Sequence, residues 1–119
     1  MTHNSRRCLL LLALTALFSA APFAQTKREF TVDAKKYKFE PAHIEVDEGD
    51  VVRITLIADD IPHSFTIDNY RIAKRSEPGK SVTFEFHADH AGTFRFYCNL
   101  TIDDGCRKMN GELVVRKRH

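Results

Sequence analysis

Short runs in which every second residue is apolar recur from Glu29 to Val115, and this period of two constrains the fold more than any other feature of the sequence. Phe30 and Val32 alternate within Glu29–Asp33, Ile44 and Val46 within the next run, and Val52, Ile54, Leu56 and Ala58 within a third. His63–Ile67 follows, then Val82, Phe84 and Phe86, then Phe94, Phe96 and Cys98, and finally Leu113 and Val115. Successive residues of a strand point to opposite faces, so each run presents one apolar face for burial. Turn-forming residues separate the runs: Asp47-Glu48-Gly49-Asp50, Asp59-Asp60-Ile61-Pro62, Pro78-Gly79 and His87–Gly92. Ala34–Pro41 reads as a polar turn, and Asn69–Lys80 as a longer connection with room for a short helix. No window carries a convincing helical period. Roughly seven to eight short strands in about 90 residues describe an all-β fold, a Greek-key β-sandwich.

The first 24 residues read differently. Met1–Arg7 is polar and contains Arg6 and Arg7, Cys8–Phe18 is apolar, and Ser19–Ala24 is rich in small residues. This is the order of a cleaved secretory signal, with an apolar run too short for a spanning helix. Ser5-Arg6-Arg7-Cys8-Leu9-Leu10 also resembles a twin-arginine signal. The expected organisation is therefore a signal peptide at 1–24 and one domain at 25–119. The expected location is the periplasm or another exported compartment, with no stable membrane insertion after cleavage. Without the segment, 16 basic residues balance 16 acidic ones. That balance excludes a nucleic-acid partner. Two cysteines remain, Cys98 and Cys106, and in an exported domain they make either one disulfide or a thiolate metal site.

Strand order indicates which histidines can reach the cysteines. If neighbouring strands run antiparallel, as the short turns imply, Thr93–Cys98 ends at one pole of the sandwich. Val82–Phe86, its expected partner, then carries His87 and His90 to the opposite pole. Val51–Ala58 rises from the Gly49 turn and brings the Asp59–His63 loop to the cysteine pole. His43 begins its own strand near that pole. His63 is thus the prime partner of the sulfurs, and His43 a possible additional ligand. With Cys98, Cys106 and Met109, His63 makes a soft donor set that suits copper, Cu(I) above all, although His/Cys sets also take zinc. Taken singly, each residue has an ordinary role: a hydrogen-bonded histidine, a core-filling methionine, a disulfide.

Further residues carry a family resemblance. They are Phe39-Glu40-Pro41 with Ile44, Val46, Gly49 and Asp50; Ile61-Pro62-His63-Ser64-Phe65; Pro78-Gly79-Lys80; Ala88-Asp89 with Gly92-Thr93-Phe94; Phe96-Tyr97-Cys98; and Met109 with Gly111, Leu113 and Val114. From about Phe30 to Val115 the chain resembles the cupredoxins, the plastocyanin- and azurin-like blue-copper proteins. His63-Ser64-Phe65 and the Pro-Gly turn are also similar to the copper domain of cytochrome oxidase subunit II. The resemblance implies a sandwich of cupredoxin type that binds one copper ion as Cu(I)/Cu(II). It puts His63 at the first-histidine position, Cys98 at the cysteine and Met109 at the weak axial methionine. The chain departs from the pattern at Cys106-Arg107-Lys108-Met109, where a cysteine stands in place of the second histidine. A dinuclear copper A centre also uses two cysteines, but closer together, and needs a second histidine that this loop lacks.

Three site readings follow. Cys106 replaces the histidine as a ligand; or Cys98 and Cys106 form a disulfide and no metal binds; or copper sits on His63, Cys98 and Met109 with His43 or solvent completing the set. The leading expectation is an exported one-electron carrier with an atypical site, serving a redox partner such as a cytochrome or oxidase. The alternatives are a periplasmic Cu(I) chaperone and a metal-free binding module stapled by Cys98–Cys106. No nucleophile–base order, phosphate loop or paired-carboxylate arrangement stands out, so an enzyme is not expected. The acidic pairs Asp59/Asp60 and Asp103/Asp104 read as solvated turns, or else as steering charges for a basic partner.

Overall fold

A computed structural model describes residues 25–118; the expected signal segment at 1–24 lies outside the described residues. The alternating runs form strands, nine among the described residues rather than seven or eight. They are β1 (Lys27–Lys35), β2 (Lys38–Glu40), β3 (His43–Asp47), β4 (Val51–Ala58), β5 (His63–Ile67), β6 (Ile72–Ser76), β7 (Ser81–His87), β8 (Gly92–Tyr97) and β9 (Asn110–Arg116). A 3-10 turn at Asp68–Tyr70 and a short helix α1 (Asp104–Lys108) complete the set. The strands make two sheets, ordered β2-β1-β4-β7 and β3-β9-β8-β5-β6. No helix among the described residues is long and apolar enough to cross a membrane.

The alternation decides what each sheet buries. Val32, Ile54, Leu56, Phe84 and Phe86 face inward from one sheet, and Ile44, Val46, Phe65, Ile67, Phe96, Leu113 and Val115 from the other. Phe39 on β2 closes the core beside the cysteine pole: its ring meets Phe65 and Phe96 edge-on at 6.0 and 5.3 Å, while Phe65 and Phe96 stack at 4.6 Å. At the other pole Gly49 turns with φ of 93°, and Asp50 caps the turn by accepting the Asp47 N–H at 2.9 Å. A positive φ is freely open only to glycine, which fixes the residue at this turn.

Pairing differs from the antiparallel assumption in two places. β1 runs parallel to β4, and β3 runs parallel to β9. Val82–Phe86 is not the partner of the Cys98 strand: β7 pairs with β4, and β8 pairs with β9 and β5. The assignment of poles nevertheless stands. His87 lies opposite Val51, and Ala88 exchanges backbone hydrogen bonds with Gly49 and Asp50, far along the sandwich from the Asp59–His63 loop.

Gly111 lies opposite Phe96 in the β8–β9 ladder, and the Phe96 ring occupies the space a side chain there would need. A Cβ on Gly111 would sit 2.2 Å from that ring and 2.6 Å from the Ala42 carbonyl oxygen. Gly111→Ala is expected to cost about 2 kcal/mol, because a buried ring and a backbone oxygen must both give way. Urea denaturation measures this, and a cost below about 0.5 kcal/mol would show that the ladder relaxes freely.

Candidate metal centre

Two loops and one strand build the site. β5 is buried along its whole length, and His63, its first residue, has no exposed surface. The strand-breaking Asp59–Pro62 stretch delivers His63 to the pole. From the opposite side, β8 ends at Tyr97, so Cys98 begins the loop that leads to α1. Asp103 caps α1 by accepting the Cys106 N–H at 2.9 Å. The Met109 N–H donates to the Cys106 carbonyl at 3.1 Å, and the Cys98 N–H donates to the Met109 carbonyl at 3.3 Å. Cys98, Cys106 and Met109 are all buried.

Cys98 and Cys106 are joined by a disulfide, with their Cα atoms 5.2 Å apart. The sequence left a disulfide and a two-thiol ligand pair as alternatives; in this form the sulfurs are bonded to each other. Each sulfur also faces a backbone donor. The Ser64 N–H points at Cys98 Sγ at 3.4 Å, and the Leu100 N–H at Cys106 Sγ at 3.2 Å. The Ser64 hydroxyl donates to Asn99 Oδ1 at 2.7 Å and accepts the Asn99 N–H at 2.8 Å, which locks the Cys98 loop to the residue next to His63. Among the described residues no three His, Cys, Asp or Glu side chains converge as a ready metal cluster.

His63 is held from one side only. Its Nε2 lies 2.8 Å from Asp60 Oδ1, whereas Nδ1 is buried with no hydrogen-bond partner. Leaving a buried polar atom unpaired costs about 1–3 kcal/mol, so such an atom calls for an explanation. Among the described residues Thr66 Oγ1 is the other atom in this condition, two residues past Ser64 on the face of β5 turned away from the core. Partial burial alone would raise the Asp60 carboxyl. The Lys36 amide, the His63 ring and the Ile61 amide outweigh it and hold the pKa down to about 2.

The structure brings His63, Cys98, Cys106 and Met109 to one pole, but it does not bring the His43 side chain with them. His43 is level with Glu112 on the outer face of its sheet, where its two ring nitrogens meet Glu45 at 2.8 Å and Glu112 at 3.1 Å. The hydrogen bond to Glu45 leads in raising its pKa, as expected for an exposed, charge-paired histidine. The placement corrects the sequence reading for a simple reason. His43 starts near the right pole, but the pleat turns it outward, while Ile44 faces the core.

The acidic pairs are also more than solvated turns. Asp60 holds His63, and Asp103 caps the helix that carries Cys106. Sequence reasoning missed the parts of Asp60, Ser64 and Asn99. No sequence signal marks them, because each acts through the geometry of the loops. Gly105 was missed too: a Cβ there would lie 2.1 Å from the Tyr37 ring, so glycine lets Tyr37 lie across α1.

Comparison with known proteins agrees with this architecture. The family model described as a cupredoxin-like domain matches residues 8–115. Cytochrome c oxidase subunit 2 of Thermus thermophilus is 26% identical over 81 residues, covering 68% of this chain and 60% of that protein. The chain thus spans less than two thirds of the length of the curated relatives it matches. Among solved structures, a chain of a heme-copper terminal oxidase dimer superposes with a TM-score of 0.71 at 20% identity, covering 78% of this chain and 66% of that one. The metal-binding domain of the Streptococcus pneumoniae Cu(I)-exporting P-type ATPase, solved with Cu(I), superposes with a TM-score of 0.62 at 17% identity, covering 75% and 85%. At these identities the structural matches speak to the fold alone.

Proposed function

Given that the chain belongs to the cupredoxin-like domain family, we propose that it is an exported copper-binding protein whose reduced form holds one Cu(I) ion. One observation carries this reading: the Nδ1 atom of His63 is buried and unpartnered, on a residue whose neighbour Ser64 is hydrogen-bonded to Cys98 and Asn99. His63 Nδ1, the Cys98 and Cys106 sulfurs and the Met109 thioether would hold the ion. Bound there, copper would supply a soft, one-electron redox centre. The protein's own part is to hold donors in place and exclude water. The Ser64 and Leu100 N–H groups, already aimed at the two sulfurs, would stabilise negative charge on them once the disulfide is opened. A cleft lined by Tyr97, Cys98, Asn99, Leu100 and Arg107 gives a small reductant an approach.

Of the two copper roles, this reading favours Cu(I) handling over electron carriage. Sulfurs close enough to bond are easily oxidised, which suits a site for Cu(I) better than one cycling through Cu(II). It is a binding role rather than a catalytic one. A second reading, a metal-free module stapled by the disulfide, is favoured by the bonded sulfurs themselves.

A titration separates these readings. The chain without residues 1–24 is prepared in disulfide and dithiol forms, and each is titrated anaerobically with Cu(I), with free thiols counted. The dithiol form is expected to bind one colourless Cu(I), and the disulfide form to bind at least about 100-fold more weakly, more than the loss of an outer partner usually costs. Strong visible thiolate-to-Cu(II) absorption with reversible redox would instead make it an electron carrier. A dithiol form that takes up no copper would overturn the proposal and leave the stapled module.

A further inference from the structure

We propose that Asp60 is a positioning residue that fixes the tautomer of His63, keeping the proton on Nε2 and leaving Nδ1 as a bare donor. As a statement about copper, this rests on the reading above; as a statement about His63, it stands on geometry.

Both oxygens of the Asp60 carboxylate are engaged. Its Oδ2 accepts the Lys36 N–H at 2.8 Å, and its Oδ1 accepts the Ile61 N–H at 2.7 Å while lying 2.8 Å from His63 Nε2. Both backbone groups can only donate. A carboxylate that takes two such donors is an acceptor toward the ring as well, so the proton between Oδ1 and Nε2 belongs to the histidine. In a neutral imidazole one nitrogen carries the proton and the other is an acceptor. In the neutral ring Nδ1 is therefore the lone-pair nitrogen, and it is the buried atom with no partner in the protein. The ring that would bind a soft cation is thus set for it before any cation arrives. A carboxylate behind a ligating histidine, fixing which nitrogen faces the metal, is a recurring arrangement in metal sites.

Asp60 also joins the loops around the ring. Lys36 belongs to the turn between β1 and β2, and the next residue, Tyr37, lies across Gly105 in α1, one residue before Cys106. One carboxylate thereby ties the His63 loop to the turn that covers the cysteine loop. The geometry makes Asp60 a support for both halves of the pole.

Long-range proton–nitrogen NMR correlations on the metal-free, disulfide form of the 25–119 chain, labelled with nitrogen-15, test this directly. The neutral form of His63 is expected to be a single Nε2–H tautomer. Asp60→Ala removes the acceptor, and Asp60→Asn keeps its shape but can turn an amide N–H toward the ring. In both, the Nδ1–H form is expected to become populated, and Cu(I) affinity of the dithiol form to fall 10–100-fold. Should Asp60→Ala fail to fold, the wild-type spectrum and Asp60→Asn decide the matter. An Nδ1–H tautomer in the wild type, or an unchanged single Nε2–H tautomer in the folded variants, overturns the proposal. If the tautomer behaves as expected while the dithiol form binds no copper, the copper reading fails and the role of Asp60 stands.

Discussion

Replacing Phe96 by alanine is expected to cost about 4 kcal/mol. Phe96 is completely buried; its ring stacks on Phe65 at 4.6 Å and meets the edge of Phe39 at 5.3 Å. Neither neighbour can move in to fill the void. Phe65 is fixed on a strand buried along its length, and Gly111, directly opposite, has no side chain to offer. A domain of this size has only about 5–15 kcal/mol of stability in total, so the change consumes a large share of it. The melting temperature should fall by about 20 °C. Circular dichroism during heating and urea titration measure both values. A loss under about 1 kcal/mol would show that the three-ring cluster is not what supports this end of the core. Phe96 also stands two residues before Cys98, so the same variant should loosen the site before the rest of the sandwich.

The second large effect concerns the disulfide. The sulfurs close a loop with a sequence separation of 8, and the chain-entropy model assigns such a link about 2.5 kcal/mol. Cys98→Ala with Cys106→Ala should lose about this much, and so should the wild type in reductant. A ligand that binds only the folded form adds stability, about 2.7 kcal/mol at a hundred times its dissociation constant. Under the copper reading, Cu(I) added to the reduced wild type should therefore restore the lost stability, while the double variant gains nothing. Equal responses of the two proteins would remove both cysteines from any metal site. Thermal melts of the two proteins, with and without reductant and Cu(I), make the comparison.

Much of the sandwich could be read from the alternation. The runs around Val32, Ile44, Ile54, Phe65, Phe84, Phe96 and Leu113 are all strands, because a period of two with a buried face has little else to become. The strands that escaped notice are β2 and β6. β2 is three residues long and β6 exposes Ala73, Lys74 and Arg75, so neither carries the apolar alternation of a half-buried strand; both lie at sheet edges. The single turn of α1 was hidden for another reason. It is held by Asp103 and by the disulfide rather than by an amphipathic repeat. At the site, the grouping of His63 with Cys98, Cys106 and Met109 was legible because strand direction alone delivers those residues to one end. The pairing of the sulfurs stayed open, since spacing permits both a bond and a shared ligand. Asp60 was illegible as a partner of His63 because its role depends on loop geometry, to which hydrophobic periodicity is blind.

The place of β9 has a consequence for how the chain assembles. It lies between β3 and β8, and pairs His43 with Glu112, so the five-stranded sheet joins early and late sequence. Such distant pairings are reached slowly, because the connecting chain must be ordered before the contacts repay it. The four-stranded sheet needs nothing beyond β7, whereas its companion has a gap between β3 and β8 until residues 110–116 are available. During synthesis the half bearing His63 and Cys98 is therefore the last to take shape. A chain that stops before Asn110 would hold every strand of one layer and still leave β3 with no neighbour.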